Sequence, residues 1–122
     1  MAKFVNPAVL NQALNEIATA NLMVAINGQP ASYAAAQSGK LAETALSAGD
    51  FTQANGDVNG RKVTIAAKTG AAIIAAGTAN HIALLDTAGS RLLYVTTCPA
   101  VTLPASGTVN FEAWKVEIGD PT

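Results

Sequence analysis

The sequence predicts a mainly β fold: a single-domain β-sandwich or barrel of short antiparallel strands with one N-terminal helix. Three observations carry that expectation. From residue 22 onward, short apolar or alternating runs recur at roughly ten-residue spacing, separated by Gly, Asn and Pro. A helical period is clear in one stretch alone, near the N-terminus. Hydrophobic residues make up 50% of the chain but aromatics only 5%, so small side chains dominate and the core is expected to be thin or shared with partners. A length of 122 residues suffices for one core without disulfide or metal staples. The expected organisation is an arm over 1–5, a helix over 6–20 and a β body over 21–122.

The helix is written in "NPAVLNQALNEIATAN". Asn6 suits the N-cap, and Pro7 suits the first helical position, where a missing N–H costs nothing. Leu10, Ala13, Leu14, Ile17 and Ala18 then share one face, with Asn11, Gln12, Asn15 and Glu16 opposite, and the helix should end between Thr19 and Asn21. Phe4 or Val5 is placed to staple the first turn.

Strands and turns follow. "LMVAI" (22–26) is a short apolar strand stopped by Asn27-Gly28 and Pro30, and residues 31–40 read as a loop with Tyr33 as an anchor. "KLAETALS" (40–47) is weakly strand-like. "DFTQA" (50–54) and "RKVTIAAK" (61–68) flank "NGDVNG", whose Asn-Gly pairs mark a hairpin turn. "AAIIAA" (71–76) lies between two glycines. "HIALLD" (81–86) and "RLLYVTT" (91–97), joined by "TAGS", are apolar on both faces, the mark of central strands covered twice. After a proline-broken edge segment, "CPAVTLPASG", one last strand alternates through "NFEAWKVEIGD" (110–120), with Trp114, Val116 and Ile118 on one face. Trp114 is expected to be the core's largest anchor.

Charge excludes several classes of partner. Charged residues are 12% of the chain, about half the ~25% typical of soluble domains, and the net charge is −1. The seven basic residues are scattered, so neither the basic stripe nor the aromatic platform of a nucleic-acid binder is present. No apolar run reaches the ~20 residues of a membrane span, and "MAKFVNPAVLNQ" has no signal-peptide core, so synthesis in a cytoplasm is expected. So charge-poor a surface suits a protein that lives in an assembly.

Catalytic and metal chemistry find little support, and no cofactor is expected. His81, Asp86, Ser90 and Cys98 fall within one stretch, but period-2 alternation puts His81 and Asp86 on opposite faces, and "TAGS" lacks a nucleophile elbow. Asp86 and Ser90 are ordinary turn residues, and Cys98 reads as packing. One His and one Cys make no soft-metal cluster. Asp50, Asn55, Asp57 and Asn59 lack the spacing and terminal glutamate of a calcium loop. Glu112 and Glu117, an odd number apart, do not form a carboxylate pair in a regular strand. The expectation is a protein without enzymatic activity.

The segments "GTANHIALLDTAGSRLLYVTTC" and "FEAWKVEIGDPT" resemble a family of small virion-associated structural proteins of tailed bacteriophages. The family's cadence is A-x-H-I-A-L-x-D, a short turn, L-L-Y-V-T-x-C, a strand with W-x-I-E, and a closing Asp-Pro. "FVNPAVLNQALNEI" is similar to its opening helix, "GQPASYAAA" to its Gln-Pro-x-x-Tyr loop, and "DVNGRKVT" to its Asp-Gly-Arg-Lys-Val-Thr text, so the likeness spans most of the chain. The motifs are strands and turns rather than active-site signatures. The resemblance implies a capsid decoration or cement protein on the virion exterior, partnered by the major capsid protein and by itself as a homotrimer. A tail or neck component is the alternative, followed by a host-surface carbohydrate-binding module. The expected capsid or partner interface is Lys3, Phe4 and Val5 of the arm with Pro30 and Tyr33 of the following loop.

Overall fold

A computed structural model describes residues 3–121. Helix α1 runs over Pro7–Ile17, with Asn6 extended and its Oδ1 accepting from the Ala8 N–H at 2.8 Å. Leu10 and Leu14 are its buried residues. It ends short of the expected 20 because the Thr19 hydroxyl donates to the Glu16 carbonyl at 2.6 Å, drawing the chain into a turn.

Among the described residues nine strands follow the helix: β1 (Leu22–Ile26), β2 (Lys40–Ala45), β3 (Phe51–Asn55), β4 (Arg61–Ile65), β5 (Lys68–Ile73), β6 (Gly77–Asp86), β7 (Arg91–Leu103), β8 (Thr108–Phe111) and β9 (Trp114–Ile118). They form a six-stranded sheet of order β7-β6-β1-β2-β5-β8 and a three-stranded sheet of order β3-β4-β9. The pairings are antiparallel. Met23, Ala25, Ala42 and Leu84 of the large sheet meet Val63, Ile65 and Val116 of the small one, and Leu14 of α1 joins them. The fold is mainly β, as the spacing of apolar runs predicts.

Five local expectations are corrected. Residues 31–40 are not a loop throughout: a second helix, α2, spans Tyr33–Gly39, with the Ser32 hydroxyl accepting from Ala35 N–H at 3.1 Å as its N-cap. Alanine-rich sequence behind a serine cap is good helix text, but seven residues are too few to show a period. The run 61–68 divides, β4 closing the small sheet at Ile65 and β5 opening the large one at Lys68. The run 110–120 divides likewise between β8 and β9. Both breaks are corners where the chain switches sheets, a change a one-dimensional alternation cannot display.

The fourth correction concerns Cys98-Pro99. The strand continues through the proline to Leu103, because Ala79 opposes Val101 while His81 opposes Thr97, leaving residues 98–100 bulged against Asn80. Pro99 lacks an N–H, but on an outermost strand no neighbour needs one. Finally, β7 is an edge strand and not a central one. Its two apolar faces arise from a second bulge at Leu93: Leu92 and Val95 pack under α2, while Leu93 and Tyr94 pack on the main core.

The face of the large sheet away from the small one is closed by α2. Val24, Ala83 and Leu85 form a second buried cluster with Ala36, flanked by Tyr33 and Leu92. This double cover explains why β1, central between β6 and β2, is buried almost throughout.

Candidate functional site: an apolar groove and an exposed arm

The first candidates are the polar residues of the β6–β7 hairpin. Asp86 Oδ1 accepts from the N–H groups of Ala88 at 3.1 Å and Gly89 at 3.2 Å, and Oδ2 pairs with Arg91 at 3.0 Å. Those contacts hold its carboxyl below the usual value, led by the Gly89 N–H and the Arg91 guanidinium. Ser90 has φ 54°, the left-handed residue of the turn. His81 is five positions from Asp86, about 17 Å along a strand, and its Nδ1 lies 2.7 Å from Asn80 Oδ1. The structure does not bring these side chains together. They close a hairpin and a bulge.

The calcium-loop oxygens are likewise engaged with protein. Asp50 pairs with Lys68 at 2.9 Å, across the β4–β5 corner. Asp57 pairs with Lys62 at 2.6 Å and with Lys115, which hold its carboxyl down at about 2. Asn55 Oδ1 accepts from Arg61, and Asn59 Oδ1 accepts from the Asp120 N–H, each at 2.8 Å. Gly60, at φ +71°, closes this turn against β9, where a Cβ would sit 1.9 Å from the Ile118 carbonyl oxygen. Among the described residues no group of three His, Cys, Asp or Glu side chains is placed to hold a metal. Glu112 and Glu117 are separated in role: Glu117 accepts from the Asp57 N–H at 2.7 Å, while Glu112 sits in the corner between β8 and β9.

The expected interface residues part company. Pro30 is buried, in the turn that Asn80 and Asn27 pin to β6 through Gly28 N–H to Asn80 Oδ1 (2.7 Å) and Asn27 Nδ2 to the Thr78 carbonyl (2.8 Å). Tyr33 is half-buried on the second cluster, its hydroxyl accepting from Gln37 at 2.9 Å. The arm is different. Phe4 is 83% exposed and Val9, on the first turn of α1, is 60% exposed, so Phe4 does not staple its own helix. Lys3, Phe4, Val5 and Pro7 instead border a shallow cavity with Asp120 and Pro121.

A larger feature went unread in the sequence. Between the outer edge of β7 and the β8–β9 corner lies a groove of about 640 Å³. Its walls include Cys98, Val101 and Leu103 on one side and Phe111, Glu112 and Trp114 on the other. It exists because the two ends of the large sheet, β7 and β8, curl toward one another without pairing. At the Arg91 end of β7, α1 covers the gap through the Glu16–Arg91 ion pair, and beyond that the gap is open.

Trp114 forms the wall between core and groove rather than the centre of the core. Its ring stacks on Tyr94 with centroids 6.0 Å apart. Its indole N–H is buried and has no acceptor among the described residues. A buried donor left without a partner costs about 1–3 kcal/mol. Burial pushes the Cys98 thiol above its ordinary pKa, so it is a poor nucleophile. The groove is thus an apolar slot with one orphaned donor, open along a sheet edge. The signal for it was the strand order, which no local pattern encodes.

No helix is long and apolar enough to cross a membrane among the described residues. No known protein family, curated protein or solved structure matches the chain.

Proposed function

We propose that this chain is a structural protein of a bacteriophage virion, a decoration or cement protein that binds the outside of the mature capsid as a homotrimer and stabilises it. The observation that carries the reading is Phe4: an aromatic 83% exposed on an extended arm, in a chain whose other aromatics are all at least partly buried. Ordering such a residue against water serves a contact made in an assembly. The charge-poor surface agrees, since its ion pairs are made internally, as in Lys40–Glu43 at 2.7 Å and Lys68–Asp50 at 2.9 Å. The motif resemblance supplies the virion, and the exposed arm supplies a contact for assembly.

The mechanism is linkage. A protein that binds the mature shell and not its precursor or its disrupted form shifts the balance toward the mature shell. At a free concentration about 100 times Kd, each occupied site gains about 2.7 kcal/mol. Many symmetric copies multiply that effect without any one contact being strong.

The test is stoichiometry in purified particles. A stained-gel ratio near that of the major capsid protein is the expected result, and particles lacking the protein should release their genome at a lower temperature. A copy number typical of a tail ring, or identical melting with and without the protein, overturns the cement role.

A further inference from the structure

We propose that the arm of one copy (residues 3–6) lies in the groove between β7 and the β8–β9 corner of a second copy, with Phe4 seated in the cavity. The inference rests on the reading of the arm as the docking element and names its first partner: another copy of this chain.

The groove and the arm complement one another in three respects. The groove is lined by apolar groups such as Val101, Leu103 and Phe111, and its volume of about 640 Å³ exceeds what one phenyl side chain and its backbone require. Phe4 is an exposed aromatic without cover, and such a ring carries 150–250 Å² in rough terms to bury. The groove also holds a buried indole N–H in need of an acceptor, and its rim is the open edge of β7.

The arm does not lie in its own groove. It borders Asp120 and Pro121, beyond the far end of β9, whereas the groove lies at the Trp114 end. Lys115 and Asp120 are five residues apart, about 17 Å in extended chain. Phe4 is three residues from the start of α1 at Pro7, a reach of about 11 Å at most. Donor and acceptor are therefore different surfaces on each molecule, and the contact is heterologous. Repeated with rotation, it closes a ring.

The chain's lone cysteine provides the test, because Cys98 lines the groove. Phe4→Cys, oxidised with diamide, should give disulfide-linked oligomers on a non-reducing gel, and Cys98→Ser in that background should remove them. A link within one chain, or none, overturns the proposal. Phe4→Ala and Val101→Lys, both at exposed positions, should each weaken self-association at least about tenfold by sedimentation. Mixed together, the two variants should form a dimer and nothing larger, since one intact arm then meets one intact groove. A wild-type protein that stays monomeric at high micromolar concentration, or a Phe4→Ala oligomer unchanged from wild type, also overturns it. None of these measurements uses particles, so a failed capsid assignment and a failed arm–groove contact are read separately.

Discussion

The large sheet has two apolar surfaces beyond the main core, and they meet different fates. Under α2, Val24, Ala83 and Leu85 are sealed by Ala36 and Tyr33. Beside β7, Val101 stands 48% exposed and Trp114 keeps an unanswered N–H. β6 and β7 contribute to both surfaces. What separates them is a single helix of seven residues, placed by the turn that follows β1. Where the chain supplies its own cover, the apolar residues are stability. Where it does not, they are an offered contact. The comparison teaches that apolar character alone does not tell core from interface, and that the presence of an intramolecular lid does.

The comparison breaks most readily at Leu85. It is fully buried, and Leu85→Ala removes three carbons from a cluster whose backbone is held in the sheet on both sides. The expected loss is about 3 kcal/mol, within the range for buried leucine truncations, read as a drop in the urea midpoint. Val101→Ala at the groove should change the same midpoint by less than about 0.5 kcal/mol. Equal losses at the two positions would mean that the groove is part of the closed core after all.

A smaller effect is expected where the arm joins the body. Asn6→Ala removes the cap bond to the Ala8 N–H and should cost about 1 kcal/mol, seen as a fall of a few degrees in Tm. The smallest effect sits in the turn between β3 and β4. Asp57 has its carboxyl lowered from 3.8 to about 2, chiefly by Lys115 and then by Lys62. Its folded value lies below its unfolded one, so its stabilisation is complete above about pH 4 and is lost as pH falls through about 2. Asp57→Asn should therefore flatten part of the fall in Tm between pH 5 and 2, modestly, because the site is solvated. Asp50, Asp86 and Glu117, also lowered, keep the remainder of the acid sensitivity. A variant as acid-labile as wild type would show that the ion pairs with Lys62 and Lys115 do not persist in solution.

Much of the body was legible in advance. The Asn6-Pro7 start of α1, the run 22–26 and the hairpin through "NGDVNG" all lie where cap, period and turn chemistry place them. Illegible were α2, too short for a period, and the two corners at residues 66–67 and 112–113, where a continuous alternation hides a change of sheet. Of the residues named for an interface, Phe4 is exposed rather than stapled onto its own helix, and Pro30 is buried, because two asparagine side chains pull its turn onto β6. His81, Asp86 and Ser90 carried no more than the turn chemistry their types suggest.

Local text by itself determined that the chain makes short strands, where most turns fall, and that one helix precedes them. Those properties depend on a few neighbouring residues and their side-chain alternation. Which strands become edges, that β7 and β8 stop short of pairing, and that a slot opens between them were decided only in three dimensions. Strand order joins residues far apart in the chain, and their closeness follows from the twist and curl of the whole sheet, a quantity no single segment carries.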